Sequence, residues 1–114
     1  MQINEIICIL LRDLNCNMFY IHKPDGIELD EYITFNATLK DEWFSNNFYE
    51  SNTFVITINI LTKNISNISD LVNQVKNIID NDKNCYGFSC RGSSFIKDTN
   101  EFQTVCSFNL LYFD

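Results

Sequence analysis

Glycine and proline are scarce in this chain, which has three Gly and one Pro in 114 residues. So few turn-forming residues exclude a fibrous or loop-dominated protein. Hydrophobic residues make up 46% of the sequence and aromatic residues 14%, which is typical of a globular protein and not of a disordered one. A chain of this length hides about two-thirds of its unfolded surface in one core, so residues 1–114 are predicted to form a single domain.

Positive charge is also scarce. Eight Lys and Arg residues stand against fifteen Asp and Glu residues, which gives a net charge of −7 and a pI near 4.5. An acidic surface repels phosphate, so nucleic-acid binding through a basic patch is excluded. The charge suits solubility, or docking onto a basic protein surface.

The apolar run in "INEIICILLRDL" is too short to span a bilayer. Glu5 precedes the run, no Lys or Arg does, and no small-residue cleavage site follows it, so we expect neither a secretory leader nor a membrane anchor. The five cysteines are then expected to be reduced, mostly buried thiols of a cytosolic protein.

Catalytic groups are few as well. The chain has one histidine, His22, so a cysteine nucleophile would have a single candidate base. The carboxylate pairs Asp30–Glu31 and Asp41–Glu42 are adjacent in sequence, and neighbours in a strand point apart. No glycine-rich phosphate loop is present. We therefore predict no catalytic residues, no cofactor and no enzymatic activity.

Cysteine spacing offers one possible zinc set, in which Cys85 and Cys90 would join Cys16 and His22. Four residues separate Cys85 from Cys90, which is more than the usual two-residue knuckle allows. In a regular strand these two side chains would also point to opposite faces. The sequence therefore predicts no metal site.

Hydrophobic periodicity predicts two helices, over residues 2–14 and Asn67–Asn81, the second with Asn67 as N-cap and Asp70 in its first turn. Alternation predicts strands at "NMFYIHK", "EYITFNATLK", "TFVITINILTK", from "CYGFSCRG" to "FIKD", and at "FQTVCSFNLLYF", with a turn at "PDG". The order α-β-β-β-α-β-β predicts an α+β fold. We expect an antiparallel four- to five-stranded sheet with both helices packed on one face.

Two apolar features exceed what a single small core needs. Trp43, Phe44, Phe48 and Tyr49 crowd the otherwise polar segment 41–52, which is either an exposed aromatic loop or an extension of both flanking strands into a longer hairpin. The last strand carries Leu111 and Phe113 on the face opposite Cys106 and Phe108. Burying such side chains is worth ~1.5–3 kcal/mol each, so these six residues are candidates for a partner interface. The alternative is that a helix or loop of the same chain covers the end of this strand.

Several stretches together resemble a known family. They are "EYITF", "FVITINI", the helix opening "SDLVNQV" and the closing "DTNEFQTVCSFNLLYFD". In their order, from Ile3 to Phe113, they resemble the small tail-completion or tail-terminator proteins of long-tailed bacteriophages and of prophage or phage-tail-like particles. Members often have a proline before the "YITF"-type strand, where this chain has Asp30–Glu31.

The resemblance implies a structural virion protein without catalysis. It implies a homo-oligomeric ring, commonly a hexamer, that caps the tail tube and joins it to the head connector. The partners would be further copies of the chain, the tail tube protein and the connector protein. The protein would sit at the head-proximal end of the tail after assembly in the bacterial cytoplasm. In a ring, neighbouring copies would cover the surplus apolar residues.

The net charge supports an alternative from another class. A small acidic inhibitor or immunity protein would bind a basic partner protein one-to-one, with an association rate that falls as salt rises.

Overall fold

The computed structural model describes residues 2–14, 16–45 and 48–112, with the backbone alone at residues 41–45, 48–52 and 112. Within these ranges the chain forms two α-helices and six β-strands, and the predicted α+β class is confirmed. In chain order the elements are α1 (Ile3–Leu10), β1 (Asn17–Tyr20), β2 (Glu31–Ser45), β3 (Phe48–Thr62), α2 (Ile68–Asp80), β4 (Cys85–Cys90), β5 (Ser94–Ile96) and β6 (Glu101–Tyr112).

The strands form one mixed sheet in the order β1-β2-β3-β6-β4, and β5 also pairs with β6. The prediction of an antiparallel sheet with four or five strands is therefore wrong in two details. First, β1 runs parallel to β2, with Asn17 opposite Tyr32. Second, the strand predicted from "CYGFSCRG" to "FIKD" is interrupted at residues 91–93, and its two parts pair separately with β6.

The parallel pairing follows from the connection between β1 and β2. β1 ends at Tyr20, and the next residue, Ile21, has φ 70°. The predicted "PDG" turn is present, since the Ile27 N–H donates to the Pro24 C=O at 3.5 Å and Gly26 has φ 85°. Residues 21–30 carry the chain back to the start of β1, so β2 begins beside Asn17 and runs in the same direction. These ten residues far exceed the two-residue turn that can join antiparallel neighbours.

The buried side chains of both helices pack against one face of the sheet. Ile33 lies opposite Ile60, and Ile58 lies opposite Cys106, so alternate residues of neighbouring strands share a face. The cluster on this face consists of Ile7, Leu11, Leu14, Ile33, Phe35, Ile56, Ile58, Ile60, Leu71, Val75, Ile79, Cys106, Phe108 and Leu110. We call the face of the sheet that carries this cluster the helix face.

The two helices differ from their predictions at the ends. α1 is shorter than predicted, because regular helix ends at Leu10. Asn67 does not cap α2 with its side chain, whose amide donates to Glu31 Oε2 at 3.4 Å. Instead, the side-chain oxygen of Asn64 accepts from the Ser66 N–H at 3.1 Å and caps a short 3₁₀ turn before α2.

β2 and β3 form a hairpin with 15 residues in each strand, paired from Glu31 opposite Thr62 to Ser45 opposite Phe48. Segment 41–52 is therefore an extension of both strands in its described backbone, and not a long loop. Bulges interrupt the register between Leu39 and Asp41 and again near residues 43–44. The molecule is elongated, with dimensions of 52 × 27 × 22 Å.

A bulge in β4 corrects the expected directions of two cysteines. Tyr86 lies opposite Asn109 and Ser89 opposite Ser107, so two residues of β4 share one place in the ladder. Gly87, with φ 70°, begins this bulge in a conformation that favours glycine. The extra residue shifts the alternation of side chains in β4 by one position. Cys85 and Cys90 therefore both point to the helix face instead of to opposite faces.

Candidate partner interface

The aromatic residues predicted for a partner interface lie at the far end of the hairpin. In the backbone, Phe44 is opposite Tyr49 and Ser45 is opposite Phe48, while Trp43 is opposite Ser51. The side chains of these four aromatic residues lie outside what the structure describes, as does all of Phe113. Their role in binding therefore stays a prediction.

Leu111 is half-buried and lines a cleft of about 350 Å³ beside α1. The Leu111 N–H donates to the Asn84 C=O at 2.8 Å, which holds the end of β6 against the turn after α2. The remaining lining residues are Ile6, Ile9, Leu10, Asp82 and Leu110. Leu111 thus borders an open cleft at the end of β6, and its contact with a partner stays a prediction. Ile9 of α1 also lines this cleft and is 48% exposed, so part of the apolar surface of α1 is left open.

Helix cover ends part-way along the hairpin. On the helix face of β2, Phe35 is 2% exposed, Ala37 is half-buried and Leu39 is 45% exposed. The strands continue for several residues beyond Leu39, so the far part of the hairpin extends past the layer formed by α1 and α2. The sequence pattern alone did not indicate this, because Leu39 continues the same alternation as Phe35.

The opposite face of the sheet carries mainly polar and β-branched side chains, together with buried Tyr32 and Leu61, and no described helix lies on it. Asn59 connects three strands on this face, since its side chain donates to Thr34 Oγ1 and accepts from Gln103 Nε2, both at 3.2 Å. The Ser89 and Ser107 hydroxyls are 3.0 Å apart. These bonds satisfy polar groups between strands and do not form a pocket with convergent chemistry.

The sheet has two open edges among the described strands. On one side, β1 pairs only with residues 32–35 of β2. The Ile21 N–H donates to the Phe35 C=O at 2.8 Å, which shows that Phe35 directs its backbone groups away from β3. By alternation, the backbone N–H and C=O groups of Ala37 and Leu39 also point away from β3. No described strand lies on that side.

The other open edge consists of β4 and β5, which both lie outside β6. The Arg91 N–H donates to the Val105 C=O at 2.9 Å, so residues 91 and 105 form a hydrogen-bonded pair. The neighbouring pair, Cys90 and Cys106, is then a non-hydrogen-bonded one, and the backbone groups of Cys90 point away from β6. Both edges therefore present backbone donors and acceptors for a further strand.

Sequence reasoning missed one buried polar pair. Glu101 is 3% exposed, and its Oε1 accepts from the Tyr32 hydroxyl at 3.2 Å. Burial, followed by the charge of Glu101 and this hydrogen bond, raises the pKa of Tyr32 to about 12. Lys23 Nζ lies 4.8 Å from the centre of the Tyr32 ring. The two residues are 69 positions apart, so no local motif could have indicated the pair.

The cysteines are less buried than predicted, because Cys8 and Cys90 are exposed and only Cys106 is fully buried. Burial, together with the charge of Glu31, raises the pKa of Cys16 to about 11. Burial and then Asp82 raise the pKa of Cys85 to about 12, and burial and then Cys90 raise that of Cys106 to about 12. These three thiols stay protonated near neutral pH, and a thiol must lose its proton to act as a nucleophile or a metal ligand.

Among the described residues, no three or more His, Cys, Asp and Glu side chains converge as a metal-binding group. No helix in that part of the chain is long and apolar enough to cross a membrane. Comparison with protein-family models gives no match, and comparison with curated proteins finds no relative. The surfaces described above are therefore the basis for proposing a function.

Proposed function

We propose that this chain is a structural virion protein that assembles into a ring, caps the tail tube of a long-tailed phage or prophage particle, and joins the tube to the head connector. Six copies per ring, with the tail tube and connector proteins above and below, are part of this proposal. The chain would then act by assembly alone, at the head-proximal end of the tail.

The observation that carries the proposal is the hairpin that extends past its own helix layer. The exposed fraction rises from 2% at Phe35 to 45% at Leu39 along one face of β2. Beyond Leu39, the paired backbone continues to Ser45 and Phe48. An apolar side chain such as Leu39 that its own chain leaves open is the kind of group that obligate assemblies cover with a neighbour.

This geometry suits a ring that limits the growth of a tube. A subunit in a cyclic assembly uses two different patches, one for each neighbour, and the sheet has two different open edges. The hairpin can reach an adjacent subunit or the tube below without disturbing the core, because the core cluster lies near the other end of the hairpin. The cleft beside Leu111 gives a further apolar surface next to α1.

The proposal is tested by measuring mass in solution and the length of tail tubes. Light scattering after size-exclusion chromatography is expected to give a multiple of the single-chain mass, and electron microscopy is expected to show rings. Added to polymerising tube protein, the chain should yield short, capped tubes. A chain that stays monomeric and leaves tube length unchanged would overturn the proposal.

A matched pair of variants tests whether the hairpin is the contact surface. Leu39→Asp places a charge on the hairpin beyond the helix layer and should reduce both ring formation and tube capping. Ile65→Asp changes an apolar residue of similar exposure, 53%, in the turn before α2, and should leave both unchanged. Equal loss with both variants would argue against the hairpin as the contact surface.

A further inference from the structure

We infer that Cys90 and Cys106 form a thiol-modification site that takes low-molecular-weight disulfides. Cys90 reacts first and forms a mixed disulfide with the small molecule. Cys106 then displaces the small thiol, which leaves a disulfide between β4 and β6. The inference goes beyond the proposed ring and does not depend on it, because both thiols belong to a single copy of the chain.

The two cysteines lie next to each other across two strands. Cys90 is opposite Cys106 in the register of β4 and β6. The Arg91 N–H donates to the Val105 C=O at 2.9 Å, so the pair beside it, which is that of the two cysteines, is a non-hydrogen-bonded one. Side chains approach most closely in such pairs. Their Cα separation of about 4.5 Å is within the range that a disulfide requires.

Only one of these two thiols is open to a reagent. Cys106 has 0% exposure, whereas Cys90 is exposed. A small disulfide in solution therefore reaches the Cys90 sulfur first. Cys8 is also exposed, but it lies in α1 and has no cysteine opposite it on a neighbouring strand. A second thiol beside the exposed one thus distinguishes Cys90 from an ordinary surface cysteine.

Cys90 also lines a cleft of about 270 Å³ between α2 and the end of β4. Small-molecule pockets start at about 300 Å³, so this cleft has room for one small thiol beside the Cys90 sulfur. α2 supplies apolar lining through Ile68 and Val72, and it supplies a hydroxyl and an amide through Ser69 and Asn73. Such a mixed lining suits a peptide-like thiol, which has both apolar and amide groups.

Cys106 is suited to the second step and not to the first. Burial, followed by the hydrogen bond and the charge of Cys90, raises the pKa of Cys106 to about 12, so its thiolate is rare near neutral pH. Contact with the Cys90 sulfur offsets this, because groups held together can react as if present at about 10⁵ M or more. A mixed disulfide on Cys90 also removes the charge that helps to raise this pKa. The buried thiol therefore attacks the sulfur beside it.

The exchange balances with the small disulfide, RS–SR, as the oxidant. In the first step the Cys90 thiolate attacks one sulfur of RS–SR, a bond from Cys90 to SR forms, and RS⁻ leaves and takes up the proton that Cys90 lost. In the second step the Cys106 thiolate attacks the Cys90 sulfur, and the second RS⁻ leaves and takes up the proton of Cys106. The two cysteines are oxidised to one disulfide, and RS–SR is reduced to two RSH.

The disulfide joins the end of β4 covalently to β6. β6 is the only neighbour of β4 among the described strands, and the bulge between Tyr86 and Ser89 interrupts the ladder that connects them. Cys90 is the last residue of β4 and lies beyond this bulge. Oxidation therefore fixes the end of an edge strand, and reduction removes the constraint.

The test uses glutathione disulfide on the reduced full chain, with intact mass and peptide mapping as the readout. In the wild type we expect a glutathione adduct on Cys90 that disappears as the disulfide to Cys106 forms. Cys106→Ala is expected to keep the adduct and to lose the disulfide. Cys90→Ser is expected to show neither the disulfide nor an adduct on Cys106. An adduct on Cys8 is the internal control, since it should persist in every variant.

The wild-type time course and Cys90→Ser keep the test decisive if Cys106→Ala impairs folding, because Cys90 is exposed. An adduct on Cys90 that persists in the wild type would overturn the inference. So would an adduct on Cys106 that forms in Cys90→Ser as fast as the one on Cys90 in the wild type, or reaction at Cys8 with none at Cys90. The ring is judged separately, from the mass of the reduced protein and from tube length, so the two can fail independently.

Discussion

At the scale of single residues, the hydrogen bond between Tyr32 and Glu101 joins two buried polar side chains. We expect Tyr32→Phe to lower the free energy of unfolding by about 1–3 kcal/mol, because a buried carboxylate loses a hydrogen-bond donor. Urea denaturation measures the change. Tyr86→Phe is the control, since Tyr86 is 48% exposed and its loss of a hydroxyl should cost under about 0.5 kcal/mol. Equal effects would mean that the hydroxyl of Tyr32 contributes nothing specific.

The two thiols of Cys90 and Cys106 are placed for cross-linking. They lie opposite each other in a non-hydrogen-bonded pair, in which Cα atoms are about 4.5 Å apart, within the range of disulfides. With an azo oxidant such as diamide, which takes up the two hydrogen atoms, we expect one intramolecular disulfide and three remaining free thiols. Thiol titration and peptide mass mapping check this. Cys85 has Leu110 opposite, so Cys85→Ser should not prevent the disulfide, whereas Cys90→Ser should. Five free thiols after oxidation would refute the geometry.

At the scale of elements, the bulge in β4 depends on one glycine. A Cβ at Gly87 would lie 2.7 Å from Asn109 Nδ2, and φ at this position is 70°. Gly87→Ala should therefore destabilise the protein by about 1–2 kcal/mol, mainly through the left-handed backbone. Gly92→Ala is the matched control, because a Cβ there meets nothing within 4 Å. Thermal unfolding of both variants compares them directly, and a Gly87→Ala protein as stable as the control would contradict the bulge.

The type of each element with a strong hydrophobic period was predictable from sequence. The strands that these elements pair with were not. The alternation of Ile33 and Phe35 and the helical spacing of Leu71 and Val75 gave the right element type and the right buried side. The direction of β1 was wrong, because four residues cannot specify a parallel or an antiparallel neighbour without the path of residues 21–30. The bulge at Gly87 was missed, because alternation was assumed to continue through it. How far along the hairpin the helices cover the sheet depends on where the helices end in space. The residue pattern of a strand carries no information on this.

The candidate interface was partly predictable in the same sense. Leu111 was expected to need cover, and the structure places it at a cleft that residues of α1 also line. The open edges could not be read from sequence, because edge position depends on strand order.

At the scale of the whole molecule, stability should fall in alkali. The folded state raises the pKa of Cys85 and Cys106 from 9.0 to about 12, and that of Tyr32 from 10.0 to about 12. Their contribution is fully present below pH 9, where both states are protonated, and is lost as pH rises towards 12, because the unfolded chain releases these protons first. Urea denaturation at several pH values above 8 should show a falling free energy of unfolding. Cys106→Ala should make this decline less steep, with Cys8→Ala as the control for removal of an exposed thiol. A free energy of unfolding that stays level over this range would contradict the burial of these groups.

The place of β6 in the sheet also bears on how the chain reaches its native state. β6 is the last strand in sequence, yet it lies between β3 and the pair β4 and β5. Until β6 has been synthesised, β3, β4 and β5 lack the strand that they pair with on that side. This part of the sheet cannot form before then. Formation of the sheet is thus limited by long-range pairing with β6, and a chain that lacks β6 exposes apolar strands that favour aggregation.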